Sequence, residues 1–320
     1  MTKIGYHASH EQFKPSTLIQ LVQSAQQAGF TAGTSSDHFH PWTTQQGECG
    51  FAWSWLGAAL QATSLPFGVV NAPGQRYHPA IIAQAAATLA EMFPERFWLA
   101  VGTGQSLNEH ITGGRWPAKA ERNARLNECV DIMRALWAGE TVNHKGLVTV
   151  EEAKLYTRPA VNPLIFGAAV TSKTAEWVGS WADGLLTISQ PLEQLRDVVD
   201  AFRRGGGAGK PMYLKVQLSY AKTKEAAQQG AYDQWRANIF PNAMLTELRT
   251  PDQFDMAGEL VNLTAVDNMV NVSADVHQHA AWLQAYKALG FELLTLHNVN
   301  LEQQRFIDDF GQHVLPDLRN

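Results

Sequence analysis

A chain of 320 residues, 45% hydrophobic and 17% charged, has the composition of an ordinary globular protein and not of a disordered or fibrous one. Its net charge of −5 comes without a basic stripe, which disfavours nucleic acid and anionic membrane surfaces as partners. No apolar run approaches the roughly 20 residues of a membrane helix, no secretory pattern opens the chain, and two isolated cysteines, Cys49 and Cys129, fit a reduced cytoplasmic protein.

The apolar pattern alternates short runs with helical stretches. Lys3–Ala8 reads as a strand, then 16–28 as a helix with Leu18, Leu21, Val22 and Ala25 on one face and Gly29 as its stop. Strands are predicted over 30–36, 67–70 and 97–102, with helices over 51–63, 79–92 and 119–138. The last of these carries its apolar stripe at Leu126, Cys129, Val130, Met133 and Trp137. Residues 140–159 interrupt the rhythm and suggest a surface hairpin turning at Asn143–Gly146. Strands at 164–168, 184–188, 213–219 and 292–296 follow, with helices over 172–180, 192–202, 273–289 and 301–314. Eight strands with helices between them predict an α/β protein, a (β/α)8 TIM barrel, filling 1–320 as one domain. Insertions are expected near 103–118, 140–160 and 221–271. An open doubly wound sheet is the alternative, but no Gly-rich dinucleotide fingerprint follows the first strand.

A barrel of this kind places its site at the carboxyl ends of the strands. The residues there are polar: Ser9 and Glu11, then Asp37, His38, His40 and Trp42, Asn71, the stretch Thr103-Gly104-Gln105 with Asn108 and Glu109, then Gly167, Thr171, Thr187, Gln190, His297 and Asn298. A histidine beside an aspartate at a strand end can move a proton near neutral pH. Packing in a loop is the plainer reading of either histidine. His38 and His40, with His297, also have the look of a metal site in a barrel hydrolase. Glycines in Val101-Gly102-Thr103-Gly104 let backbone N–H groups approach a phosphate or a ring, although a tight turn explains them equally. Gly167-Ala168 before Thr171 divides in the same way between an anion site and close packing.

These motifs carry a resemblance. Ile4-Gly5-Tyr6, Glu11-Gln12-Phe13, Ser36–Phe39 with Pro41-Trp42, Arg76–Ala80, Val101–Gly104 with Leu107–Glu109, and Phe306 stand in an order that resembles the bacterial-luciferase-like superfamily over nearly the whole chain. Within it the chain looks most like the deazaflavin-dependent glucose-6-phosphate dehydrogenases. The resemblance implies a homodimeric barrel that binds FMN or the deazaflavin F420 over its strand ends. It implies that Asp37 contacts the ring, that His38 is the base for a substrate hydroxyl, and that Trp42 shapes the substrate side. It also implies a non-proline cis peptide at Val70–Asn71 behind the ring, and a cofactor tail on Thr103, Gly104, Asn108, Gly167, Ala168 and Thr187.

Two departures matter. Gln105 stands where the dehydrogenases carry a glutamate, so their acid–base partner is missing unless Glu109 or Glu11 replaces it. Gln190 and Met256 stand where they carry phosphate-binding cations, so glucose 6-phosphate is not the expected substrate. The expected activity is hydride transfer or monooxygenation on a small organic molecule. The alternatives are a metal-dependent hydrolase and a non-catalytic flavoprotein.

Overall fold

A computed structural model describes residues 2–318. Eight parallel strands form its centre: β1 (Lys3–Ala8), β2 (Ala32–Ser36), β3 (Phe67–Asn71), β4 (Phe97–Val101), β5 (Ile165–Ala168), β6 (Gly184–Ile188), β7 (Met212–Ser219) and β8 (Leu293–Asn298). Each pairs with the next, β8 pairs with β1, and the ring closes into a (β/α)8 barrel. The helices are α1 (Pro15–Ala28), α2 (Ala52–Ala62), α3 (Pro79–Met92), α4 (Lys119–Ala138), α5 (Ser172–Gly179), α6 (Leu192–Phe202), α7 (Lys224–Trp235), α8 (Pro251–Gly258), α9 (Val276–Lys287) and α10 (Gln303–His313). No described helix is long and apolar enough to cross a membrane.

Both faces of every strand are covered, so the pleat sorts side chains into two cores. Leu214, Val216 and Leu218 of β7 face outward into the large core shared with the helices. The five residues expected on the buried stripe of α4 all lie in that core. The helix ends at Gly139, whose φ of 90° is a left-handed conformation that few other residues adopt cheaply. The inner core is small and aromatic. Trp98 packs 5.1 Å from Phe166 between ring centres, and Phe166 stacks on Tyr213 at 4.2 Å. These rings fill part of the barrel's interior.

Gly68 makes room for these rings, because a Cβ there would overlap the Trp98 indole. Gly68→Ala is expected to cost about 1–3 kcal/mol through overpacking, read as a lower thermal midpoint. A midpoint equal to that of the parent would mean that the indole has space to move aside.

The segments expected as insertions lie outside the ring. The hairpin consists of the antiparallel strands Val142–Lys145 and Thr149–Ala153. The stretch before α9 holds α7, α8 and a two-residue strand, Asn271–Val272, that extends the sheet beside β7. His297 and Asn298 were expected just past the last strand, but they are its final two residues and are buried. Pairing with Gln217 and Leu218 of the long strand β7 carries β8 that far.

Candidate active site

β2 ends at Ser36 and delivers Asp37 and His38 to the mouth, where the loop after β1 brings Glu11. His38 Nδ1 lies 3.0 Å from Glu11 Oε1. The contact is short but poorly aligned for a hydrogen bond, a close approach of ring and carboxylate. Ser9 Oγ donates to the other Glu11 oxygen at 2.9 Å. His38 Nε2 has no hydrogen-bond partner among the described residues, and Trp42 stands edge-on to the imidazole at 5.0 Å.

Burial pushes the Glu11 carboxyl up, but His38 and the Lys215 ammonium outweigh it and hold the group well below the usual carboxylate range. An acid with a depressed folded-state pKa contributes stability above its unfolded pKa and loses it as pH falls through the folded one. The parent should therefore lose stability more steeply than Glu11→Gln as pH drops below about 5 in denaturant titrations. Parallel pH profiles would show that Glu11 is not held ionised.

Asp37 is 3% exposed and already fully engaged. Trp53 Nε1 and Asn71 Nδ2 donate to its Oδ2 at 3.1 and 2.7 Å, and the Tyr77 hydroxyl donates to Oδ1 at 3.2 Å. Arg76 donates to its carbonyl at 2.7 Å and lies 3.7 Å from its carboxylate. These contacts tie down the loop that presents His38, with Oδ2 taking two donors and Oδ1 one. Glu109, 2% exposed, accepts from the Arg76 backbone at 2.8 Å and lies 3.6 Å from its guanidinium. Burial raises the carboxyl pKa of both Asp37 and Glu109 against the pull of Arg76. Asn108 Oδ1 accepts from the backbone of Phe39 and His40 at 2.8 and 3.2 Å, so it positions the His38–Trp42 loop. Trp53 was not among the expected site residues, and only the fold brings it to Asp37.

Below His38 lies a polar interior that motif reading missed. Alternation from Tyr213 turns Lys215 and Gln217 of β7 inward. The Lys215 ammonium makes no hydrogen bond or ion pair among the described residues, and it stands over the Trp235 ring at 5.8 Å. His7 and His297 face each other at 4.6 Å. Burial, then the charge of Lys215, keeps both imidazoles well below the usual histidine pKa. A lone lysine in the run Met212–Ser219 was the available signal.

The rim between β4 and β5 is the expected place for a cofactor tail. Val101 pairs with Gly167, so the loops after the two strands open side by side. Thr103 Oγ1 accepts from Lys119 Nζ at 2.7 Å, and burial and Arg122 push that ammonium's pKa down to about 8. Gly104 has φ 77°, and a Cβ there would press on Glu109 and Ala72. A Cβ on Gly102 would meet only Ala168. Gln105 begins the turn Ser106–Glu109, and its side chain makes no hydrogen bond among the described residues. Thr103, Gly104 and Ala168 therefore share the rim, with Lys119 close by.

Two expected tail residues direct their side-chain positions away from the rim. Gly167 faces α5, where a Cβ would overlap Val178, so close packing explains this glycine. Leu186 packs into the inner core, so alternation turns Thr187 to the helix side, where its hydroxyl is buried without a partner. Thr171 caps α5 by accepting from the Thr174 backbone at 3.3 Å. Val70 packs against the inner core. No peptide bond among the described residues is cis, so the cis link expected at Val70–Asn71 is absent. Asn71 Oδ1 is buried without a partner beside Asp37. A rim of small residues with an ammonium nearby fits a cofactor with an anionic tail.

The histidines of the metal reading are held apart. His40 Nδ1 meets the Leu107 carbonyl at 2.9 Å and its ring stacks on His110, while His297 Nε2 donates to Gln12 at 3.0 Å. No group of three or more His, Cys, Asp or Glu side chains among the described residues could hold a metal ion. Gln190 lines a cleft at the mouth, whereas Met256 is 67% exposed on α8 and does not line it.

The chain is similar to known proteins over nearly its whole length. A family model described as luciferase-like monooxygenase matches residues 1–293. An F420-dependent glucose-6-phosphate dehydrogenase of Nakamurella multipartita is 36% identical over 332 residues, covering 99% of this chain and 96% of the relative. Its namesake from Mycobacterium tuberculosis is 32% identical, covering 99% and 98%. An F420-dependent secondary alcohol dehydrogenase, solved with an F420-acetone adduct, superposes with a TM-score of 0.94 at 29% identity over 100% of this chain and 99% of that one. A coenzyme F420-dependent tetrahydromethanopterin reductase of Methanopyrus kandleri shares the fold, with a TM-score of 0.79 at 18% identity over 98% and 99%.

Proposed function

The chain belongs to the luciferase-like monooxygenase family and is an oxidoreductase, and from that premise we propose that it oxidises a hydroxyl-bearing carbon of a small organic substrate with the deazaflavin F420 as hydride acceptor. The observation that carries the reading is His38, held through Nδ1 by a buried carboxylate while Nε2 stays free. The named activities of the glucose-6-phosphate and secondary alcohol dehydrogenases both remove a hydride from a carbon bearing oxygen.

The cofactor supplies the hydride acceptor when it is bound. The chain does the rest. His38 Nε2 accepts the proton of the substrate hydroxyl, and ionised Glu11 stabilises the imidazolium that forms. Trp42 walls the substrate side. Asp37, Asn71, Asn108 and Arg76 hold the loop in place, and Thr103, Gly104 and Ala168 with Lys119 receive the anionic tail. Gln105 cannot act as an acid, and Glu109 is tied to Arg76, so proton handling centres on His38 and Glu11. Residues 1–320 work as a single barrel domain. Glucose 6-phosphate stays outside the proposed substrates.

Separate titrations with F420 and FMN, followed by quenching of the ten tryptophans, test the cofactor. Tight binding of F420 and its reduction by an added alcohol are expected. Binding of FMN alone would overturn the proposal in favour of an oxygen-using or reductase flavoenzyme.

A further inference from the structure

β7 brings an ammonium into the barrel and leaves it without a direct partner among the described residues. Alternation along the strand turns Lys215 inward, while Leu214 and Val216 face the helices. The side chain is half-buried and reaches toward the carboxyl-end mouth: its Nζ stands over the Trp235 ring at 5.8 Å, and Trp235 stands edge-on at 4.9 Å to His297, one of the last two residues of β8.

The polar groups around this ammonium are committed elsewhere. Gln217 Oε1 accepts from Ser189 at 3.1 Å, His7 Nδ1 meets the Thr34 hydroxyl at 3.0 Å, and His297 Nε2 donates to Gln12 at 3.0 Å. Glu11 gives one oxygen to Ser9 and turns the other to His38. At 5.8 Å the Trp235 ring is only a weak counterpart for a cation. An ammonium drawn this far out of water costs free energy that no direct contact in the folded chain returns.

Two observations tie Lys215 to the site at His38. Burial pulls the ammonium's pKa down, and the charge that holds it up is that of Glu11, the carboxylate in contact with His38. Trp42, edge-on to His38 at 5.0 Å, packs against the cluster that contains Trp235. His38 and Lys215 therefore share one aromatic wall and one carboxylate, on the substrate side and away from the β4–β5 rim that receives the cofactor tail.

We propose that Lys215 binds a carboxylate of the substrate, so that the alcohol presented to His38 is a hydroxy acid. One ammonium beside the ionised Glu11 balances a single negative charge, which is what a carboxylate carries at neutral pH. The assignment rests on the oxidation of a hydroxyl-bearing carbon and names the class of molecule that bears it.

Calorimetric titration of the full chain with 2-, 3- and 4-hydroxybutyrate and with the amide of each, with and without F420, tests it. The amides keep the hydroxyl and the chain length and lose only the charge. At least one acid should bind about tenfold more tightly than its amide. Lys215→Met should bring that ratio down to about one, and Lys215→Arg should retain part of it. Acids that bind the parent no better than their amides, or a preference that survives in Lys215→Met, would overturn the assignment. So would a loss of F420 binding in Lys215→Met with the preference intact, which would give the ammonium to the cofactor. Because binding is read without turnover, a preferred acid that never reduces F420 would leave the carboxylate site standing and count against the dehydrogenase reading alone. Alcohols that reduce F420 with no preference for the acid would leave that reading standing and remove the site.

Discussion

His38→Ala is expected to lower kcat by about 100- to 10,000-fold, the usual contribution of a positioned general base. Quenching of tryptophan fluorescence by the cofactor should change little, because His38 touches Glu11 and Trp42 and not the rim that carries Thr103 and Gly104. The pH–rate profile separates a proton-transfer role from mere loop support: the variant should lose the limb that reports deprotonation of the imidazole. Full turnover in His38→Ala, or a low rate with an unchanged profile, would remove His38 from the chemistry. Glu11→Gln should fall between the parent and His38→Ala, since it leaves the base in place and removes the charge that stabilises its protonated form.

Asp37→Ala addresses stability. The carboxylate gathers donors from Trp53, Asn71 and Tyr77 and faces the Arg76 guanidinium, which itself is only 6% exposed. Removing the acceptor leaves several buried donors without a counterpart and the Arg76 guanidinium with Glu109 as its remaining carboxylate. The expected cost is about 3–5 kcal/mol, the range for breaking a buried pair from one side. Thermal unfolding should show a midpoint lower by on the order of 10 °C. Asp37→Asn should recover part of the loss, because its amide oxygen can still accept from Trp53 and Asn71 and its NH2 can donate to the Tyr77 hydroxyl, while the charge facing Arg76 is gone. A midpoint within a degree or two of the parent would mean that Arg76 and its neighbours find other acceptors, and that Asp37 is free for another task.

The strand–helix rhythm was legible because it is local. Leu18, Leu21, Val22 and Ala25 at helical spacing, and Gly139 at the end of α4, act through neighbours within a few residues. The expected element order is the observed one, with boundaries shifted by a few residues. Motif order at Ser36–Trp42 and Val101–Gly104 likewise placed His38 and Trp42 at the mouth, since a barrel puts every strand end on one side. The period-2 pattern of Tyr213, Lys215, Gln217 and Ser219 is equally plain in the sequence. An alternating strand ordinarily turns its polar face to solvent. Closure of the ring decides otherwise here: helices bury the apolar side of β7, so its polar side becomes the interior that holds Lys215 among His7, His297 and Glu11.

Side-chain roles were legible only in part, because each depends on partners far away in the chain. Asp37 meets Asn71 across 34 residues and Tyr77 across 40, contacts that anchor the loop and that spacing along the chain does not announce. Gly167 and Thr187 sit at strand ends as predicted, yet the pleat turns them toward the helices. Sequence by itself therefore determined the order of elements, the barrel and the end of it that works, since these follow from local periodicity and chain direction. Tertiary structure alone decided which polar groups are already paired and which remain free, because hydrogen-bond partners are set by closure of the ring and not by spacing along the chain.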